Sequence, residues 1–380
     1  PPFNAAGLNP TSRNITFANP IPVATGNETI PVLMTVPNAA SGRTKPAAGW
    51  PVVIYQHGIT RNRSDALAIS ATMAAQGFAV VAIDLPLHGL PSNNPLAIGN
   101  TPFGAVARER TFGVDYINNS TGAAGPDGIP DDSGAHMINL SSLLTSRDNL
   151  RQGVADLFVL ARTIPNIDLD GNGAGDLDAS RVAYVGQSLG AIVGTPFLAL
   201  ESTVNVGVLN VPGGGIARML EASPTFGPRI RAGLAAAAGL QPGTPSYDQF
   251  FGATQQIIDS ADPINYGFAS ATNAILLQEV VGDGASVLPD QVIPNRVNGA
   301  PLSGTEPMIA ALGLPAITAT TQSANGVRGA VRFIAGDHGS LLSPAASAAA
   351  TAEMQGQMAS MIVSTGQAVQ VTNTSVIRTQ

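Results

Sequence analysis

Short apolar runs alternate along this chain with longer segments of helical spacing. Val52–Tyr55, Ala79–Ile83 and Val204–Val211 are rich in β-branched and apolar residues, as expected for strands buried on both faces of a sheet. The segment from Asp65 to Gln76 follows the first run with helical spacing, and Asp65 is in position to cap it. Successive strand–helix units of this kind predict a mostly parallel sheet with helices on both faces.

The same pattern predicts elements in the rest of the chain. The first fifty residues are rich in Pro, Asn and Thr, which favours short antiparallel edge strands. The further predicted elements are edge strands near Asn14–Phe17 and Thr29–Val36, a helix over Arg147–Ile164 with Ser146 as its cap, strands over Ala274–Val281 and Val331–Ala335, and an Ala-rich closing helix over Ser343–Val363.

Two segments are too long to be plain connections. Residues 90–146 form a Gly/Asn/Pro/Asp-rich excursion, and an insertion of this kind usually lies beside a functional site. Residues 212–271 separate two predicted strands and are long enough to form a helical cap. The chain is therefore predicted to be a single α/β domain over residues 1–380, with a site-side insertion at 90–146 and a cap or lid at 212–271.

The stretch Arg181–Leu200 predicts a strand, a tight turn and a helix in immediate succession. At its turn stands Gly186-Gln187-Ser188-Leu189-Gly190. A serine at such a turn is held in a strained backbone, and glycines two positions away on either side let the strand and the helix approach each other. Ser188 is thus a candidate nucleophile, the alternative being an ordinary Gly-rich turn.

A serine nucleophile needs a base, and the chain offers four histidines. His57 and His88 follow early strands, His136 lies in the excursion, and His338 stands just after the last predicted strand. The Gly-x-Ser-x-Gly turn resembles that of α/β-hydrolases, which carry serine, acid and histidine in that order along the chain, and this resemblance implies His338 as the candidate base.

The acid and the oxyanion donors are predicted from the loops around these residues. Asp290 and Asp283 both follow the strand Ala274–Val281, and either carboxylate could hold Nδ1 of the histidine; Asp290 is preferred and Asp283 is the runner-up. Backbone N–H groups of Leu189 and Ile59 are the predicted oxyanion donors.

Composition narrows the classes of function. The chain carries a net charge of −7, and its 18 basic residues are spread without a basic run, so nucleic acid is not an expected partner. There is no cysteine, and Lys45 is the one lysine, which leaves little for thiolate or Schiff-base chemistry. No apolar stretch approaches the length of a membrane span, so we expect a soluble chain from which any signal peptide is absent.

Motifs along most of the chain resemble those of bacterial extracellular lipases of the α/β-hydrolase superfamily, in the virulence-type lipase and phospholipase group. The motifs are YQHGITRNRSD, AIDLPLHG, GPDGIPDDSGAHMINL, TSRDNLRQ, GQSLG, LLQEVVGD and GDHGS. The resemblance implies hydrolysis of lipid-like esters through an acyl-enzyme without an organic cofactor. It also implies transient contact with lipid surfaces, and a secreted or cell-surface location. Two alternatives stay open, a hydrolase of polymeric esters and a non-catalytic surface protein that retains the fold.

One acidic loop is a candidate calcium site. Its spacing matches most of an EF-hand loop, but Ala179 occupies the position where a bidentate glutamate is required, and Asp178 would have to replace it. An Asp/Gly-rich surface turn has the same composition without a metal, so both interpretations stay open. The candidate ligands are Asp168, Asp170, Asn172, Asp176 and Asp178.

Overall fold

Strands and helices alternate along the chain in the computed structural model, which describes residues 3–5, 15–16, 20–24 and 26–379. The strands are β1 (Phe3–Ala5), β2 (Pro22–Ala24), β3 (Val32–Thr35), β4 (Trp50–Gln56), β5 (Ala79–Ile83), β6 (Leu177–Gln187), β7 (Val206–Asn210), β8 (Ala274–Val280), β9 (Thr321–Gln322), β10 (Arg328–Phe333) and β11 (Ala368–Val369). The helices are α1 (Leu67–Ala75), α2 (Leu143–Thr163), α3 (Leu189–Leu200), α4 (Ile216–Ala222), α5 (Gly227–Ala238), α6 (Pro245–Ile258), α7 (Thr305–Ala311) and α8 (Ala348–Val363).

A seven-stranded sheet organises the domain, in the order β10-β8-β7-β6-β4-β5-β3. Its pairings are parallel except at the edge, where β3 runs antiparallel to β5. The mostly parallel sheet predicted from the sequence is thus confirmed, with its antiparallel edge strand inside Thr29–Val36. In the other predicted edge strand, Asn14–Phe17, the first and last residues lie outside the described residues.

Helices cover both faces of the sheet. Along β4, Val52 and Ile54 belong to one hydrophobic cluster and Val53 and Tyr55 to the other, as the alternation of side chains in a strand requires. Helices α2 and α3 contribute to the first cluster, and α1 and α8 contribute to the second. Every residue of β4 is buried, which accounts for the continuous apolar run in the sequence.

Two predicted helix caps are wrong. Helix α2 begins at Leu143, four residues before the predicted start, and the Ser146 hydroxyl inside it bonds the backbone of Asn139. Asp65 lies in a 3₁₀ turn before α1, where Asn62 caps the turn and Asp65 pairs with Arg61. Asn62 provides the cap at the turn before α1, whereas Ser142, the residue before α2, makes no side-chain cap bond, so neither predicted residue acts as the cap.

The two long segments differ in structure. Residues 90–146 contain only short 3₁₀ turns before α2 begins, and buried carboxylates such as Asp131 tie their backbone together by accepting N–H bonds from Tyr116 and Ile117. Residues 212–271 contain α4, α5 and α6, which enclose a small hydrophobic cluster of their own around Tyr247 and Phe251. Among the described residues, no helix combines the length and the apolar character needed to cross a bilayer.

Candidate active site

Ser188 stands alone between the end of β6 and the start of α3. Its φ of 55° and ψ of −118° lie in a region that residues with side chains rarely adopt. The backbone N–H of Ser188 donates to the carbonyl of Asn210, at the end of β7, over 2.9 Å. The turn is therefore tied to the neighbouring strand.

The glycines of the motif are required by close approach of the backbone. A Cβ atom at Gly190 would lie 2.0 Å from the carbonyl oxygen of Gln56, and one at Gly186 would lie 2.6 Å from the amide nitrogen of Ala191. Neither contact is tolerable for a side chain, so the strand, the turn and the helix can pack this closely only with glycine at both positions.

His338 and Asp290 are brought together by the loops after β10 and β8. His338 Nδ1 lies 2.6 Å from Asp290 Oδ2, and the other carboxylate oxygen accepts the N–H groups of Val292 and Ile293 at 2.8 and 3.0 Å. Asp290 is only 4% exposed. Because the ionised carboxylate can only accept, Nδ1 of His338 carries its proton and the neutral ring presents Nε2 as an acceptor.

Asp283, the runner-up acid, has a different environment. Its exposed carboxylate accepts backbone N–H bonds from Ala285, Ser286 and Val287, each at 2.8 Å. A bond from the Ser286 hydroxyl and these backbone bonds hold the pKa of Asp283 well below its ordinary value. This carboxylate stabilises its own turn and makes no bond to His338, so of the two candidate acids only Asp290 contacts the candidate base.

Ser188 and His338 lie at the same edge of the sheet. Both follow the carboxyl ends of parallel strands, and the Gln187 side chain donates to the carbonyl of His338 over 3.0 Å. Ser188 Oγ forms no hydrogen bond with His338 or with any other described residue. Bonds to a catalytic nucleophile are often long before substrate binds, so proton transfer from Ser188 to His338 stays a prediction.

The loop after β4 passes over the Ser188 side chain. A Cβ atom at Gly58 would lie 3.1 Å from Ser188 Cβ, so Gly58 is adjacent to the Ser188 side chain. Within the part of the chain that the structure describes, neither Ile59 nor Leu189 donates its backbone N–H to a protein acceptor. Neither N–H group is therefore occupied by a protein acceptor, and their role as oxyanion donors stays a prediction.

The other three histidines have other environments. His57 and His88 are buried with their rings 4.9 Å apart, and burial lowers the pKa of His57 to about 4 and that of His88 to about 3. His136 bonds Asp131 within the insertion, at 2.5 Å. None of the three bonds Asp290, the carboxylate that His338 contacts, and the choice of His338 as the base stays a prediction.

Sequence reasoning missed a buried polar network that supports the loop over Ser188. Arg63 pairs with Asp84 and makes bonds of 2.7 and 2.8 Å to the two carboxylate oxygens of Glu109, which belongs to the insertion. The Ser133 hydroxyl, also from the insertion, donates to the carbonyl of Arg61 over 2.6 Å. Charged residues at the ends of two adjacent buried strands were the available signal, because such residues must be paired when they are buried.

Part of the candidate calcium loop forms a cluster. Carboxylate oxygens of Asp168, Asp170 and Asp176 lie within 4.8 Å of one another. Lys45 pairs with Asp176 and lies 3.8 Å from Asp170, so an ammonium group already balances part of this charge. The loop precedes β6, whereas Ser188 follows that strand, which separates the cluster from the candidate active site.

The other two predicted ligands, Asn172 and Asp178, make hydrogen bonds to their own neighbours in sequence. Asn172 accepts an N–H from Ala174, and Asp178 lies within β6, where it bonds Ser180. Backbone N–H groups of Gly171 and Gly173 donate to the two oxygens of Asp168. The carboxylates can offer oxygen ligands to a calcium ion, but the local bonds are also those of a self-contained Asx-type turn.

A cavity of about 290 Å³ lies elsewhere, between α2 and the far end of α3. Apolar side chains such as Val154, Phe158 and Leu200 line it, together with Arg151 and Tyr266. None of the residues around Ser188 reaches it, so we assign it no part in the chemistry.

Comparison with known proteins gives likeness to solved structures alone. No family model matches the chain, and no curated protein matches it. It is similar to the acylaminoacyl peptidase of Pyrococcus horikoshii, with 12% identity, a TM-score of 0.47, and 90% of this chain but 40% of that chain covered. It is also similar to acetyl xylan esterase 1 of Thermoanaerobacterium sp., with 18% identity, a TM-score of 0.42, and 70% and 67% covered. An esterase of Pyrobaculum calidifontis has 16% identity, a TM-score of 0.42, and 89% and 86% covered.

The strand order and the turn at Ser188 decide the fold. The chain has the α/β-hydrolase fold. It spans about two fifths of the length of the peptidase, and the similarities are too distant to transfer an activity.

Proposed function

We propose that this protein is a serine carboxylester hydrolase. The observation that carries the proposal is the hydrogen bond between His338 and Asp290, at the edge of the sheet where Ser188 occupies a strained turn after β6. An acid that fixes the histidine tautomer, a histidine that can take a proton and a strained serine are the parts that acyl transfer requires.

In the proposed mechanism, Ser188 Oγ attacks the ester carbonyl carbon while its proton passes to Nε2 of His338. The carbonyl oxygen becomes an oxyanion and accepts bonds from the N–H groups of Ile59 and Leu189. The tetrahedral intermediate collapses, the C–O bond to the alcohol breaks, and His338 gives the proton to that alcohol. Water then attacks the acyl-enzyme with His338 as base, which releases the carboxylic acid and restores Ser188. Asp290 stays ionised and orients the ring throughout. No step requires an organic cofactor.

We propose lipid-like esters as the substrates, on the strength of the motif resemblance to bacterial extracellular lipases. Two features support an apolar substrate. Helices α4–α6 lie between β7 and β8 as the proposed cap, and the insertion exposes Phe103, Val106 and Tyr116 by 63%, 70% and 70%. These side chains suit transient contact with a lipid surface. The same resemblance supports a secreted or cell-surface location.

Labelling with a fluorophosphonate tests the nucleophile directly. We expect the folded wild-type protein to be labelled at Ser188, and the Ser188→Ala variant to lose both labelling and nearly all turnover of p-nitrophenyl esters. Ser180→Ala is a matched control, because Ser180 is exposed and bonds only Asp178 locally. If the folded wild-type protein is not labelled, the proposal that it is a serine hydrolase is contradicted.

A substrate panel tests the class of ester. We expect rates to rise with acyl chain length across p-nitrophenyl esters and to exceed those on a polyester film and on peptide p-nitroanilides. Preference for the film would favour polymeric esters, and preference for the anilides would favour a peptidase.

A further inference from the structure

The peptide between Gly58 and Ile59 carries one of the proposed oxyanion donors, and its orientation decides where that donor points. The peptide is trans, so its C=O and its N–H point in opposite directions. The Gly58 carbonyl accepts two bonds, from His57 Nδ1 at 2.8 Å and from the N–H of Arg61 at 3.2 Å. The groups that hold this carbonyl therefore also direct the N–H of Ile59.

The tautomer of His57 is determined by its other ring nitrogen. The backbone N–H of Leu85 donates to His57 Nε2 over 3.0 Å, so Nε2 must be an acceptor. In a neutral ring the proton then resides on Nδ1, which donates it to the Gly58 carbonyl. The ring is neutral at neutral pH, because complete burial lowers the pKa of His57 to about 4.

From this geometry we propose that His57 is a positioning residue, which holds the Gly58–Ile59 peptide so that the Ile59 N–H points at the oxyanion beside Ser188. The inference rests on the proposed ester hydrolysis and assigns this reaction a residue outside the Ser188, His338 and Asp290 set. The chain of contacts runs from the backbone of Leu85 through the imidazole to the peptide, and each contact is a single hydrogen bond.

His88 provides a matched comparison. It is as buried as His57 and lies against it, but its Nδ1 bonds the carbonyl of Pro86 and it makes no bond to the loop over Ser188. Truncation of either ring leaves a similar buried gap. Only truncation of His57 removes a donor to the Gly58 carbonyl, so the two variants separate loss of orientation from loss of stability.

The kinetic test compares His57→Ala, His57→Asn and His88→Ala in the full chain. Loss of one oxyanion-hole donor lowers kcat by roughly 10²–10³-fold, so we expect His57→Ala to lose about a hundredfold in kcat with KM changed by less than about threefold. In His57→Asn, the side-chain amide can reach the Gly58 carbonyl as Nδ1 does, so we expect recovery to within about tenfold of wild type. His88→Ala should melt lower but keep its kcat within about threefold.

Equal kcat losses in the two alanine variants, or no recovery in His57→Asn, would overturn the positioning role. A wild-type protein without esterase activity would instead refute the proposed function, so the two failures are distinguishable. A second measurement does not depend on turnover: ¹⁵N NMR of the four histidines in the intact protein reports which nitrogen of each ring carries the proton. We expect His57 as the neutral Nδ1–H form, and an Nε2–H form would overturn the inference whether or not the variants fold.

Discussion

Replacement of Asp290 by asparagine tests the acid without dismantling its loop. The substitution is nearly isosteric, and the asparagine carbonyl oxygen can keep the two bonds from Val292 and Ile293. The NH₂ group then faces His338 Nδ1 in place of the carboxylate oxygen 2.6 Å away. Two donors cannot share one bond, so Nδ1 must become an acceptor and the ring proton moves to Nε2. A His338 with its proton on Nε2 cannot take one from Ser188.

We therefore expect kcat of Asp290→Asn to fall by up to about 10⁴-fold, the loss associated with the wrong histidine tautomer. At about 1.4 kcal/mol per tenfold, this is about 5 kcal/mol of transition-state stabilisation. The fold should lose much less, about 1 kcal/mol for one hydrogen bond, or roughly 1 °C in Tm for a chain of this size. Initial rates on a p-nitrophenyl ester, measured beside a thermal melt, separate the two effects.

Asp283→Asn is the control for this experiment. Its asparagine oxygen can keep the backbone bonds of the exposed turn, so we expect kcat within about twofold of wild type. If Asp283→Asn loses most of its kcat and Asp290→Asn does not, the tautomer argument is wrong and Asp283 is the acid. If the free energy of unfolding of Asp290→Asn fell by about as much as its activation free energy rose, the carboxylate would have a structural role.

Three further predictions concern stability and the surrounding segments. His57 and His88 are neutral in the fold but protonate near pH 6.5 when unfolded, so the unfolded state binds more protons and stability should fall from pH 6.5 to 4. Melts of His88→Leu should show a shallower fall, and an equal slope would contradict this linkage. Deletions within residues 212–271 should slow hydrolysis of long-chain esters more than hydrolysis of acetates. Equal losses of rate on both would indicate that α4–α6 support the fold and do not bind the acyl chain. If the cluster at Asp168 binds calcium in the native state, saturating calcium should raise Tm in wild type but not in Asp168→Asn; an unchanged melt in chelator would leave only the turn interpretation.

The hydrophobic pattern predicted the sheet well because a strand buried on both faces requires a continuous run of apolar residues. The predicted bounds Ala79–Ile83 match β5, and the apolar run Val52–Tyr55 lies inside β4. Helix starts were less predictable, since several polar residues near each start can bond the backbone and tertiary contacts choose among them. Ser146 illustrates this, because its hydroxyl bonds the backbone of Asn139 from inside α2.

The residues of the candidate site also differ in how far local sequence signals predict them. Ser188 could be predicted from a local motif and His338 from its order along the chain, because both signals can be read directly from the sequence. The choice between Asp283 and Asp290 depends on how a loop folds after β8, and composition alone does not encode that path. For Arg63, the sequence could indicate that a buried charge needs a partner but not which residue provides it. The contact between His57 and the Gly58 carbonyl depends on how the loop folds, and no spacing rule specifies it.

Short backbone contacts, rather than side-chain packing alone, fix the geometry around Ser188. A non-glycine residue at positive φ costs on the order of 1–3 kcal/mol and persists only where its surroundings hold it. At Ser188 the bond to the Asn210 carbonyl and the start of α3 do so, and the preceding Gln187 reaches across to hold the His338 loop. Ser188, which adopts the strained turn, is thus adjacent in sequence to Gln187, which bonds the loop that carries His338. A shift of the strand end would move both groups together, which preserves their relative position better than independent anchors would.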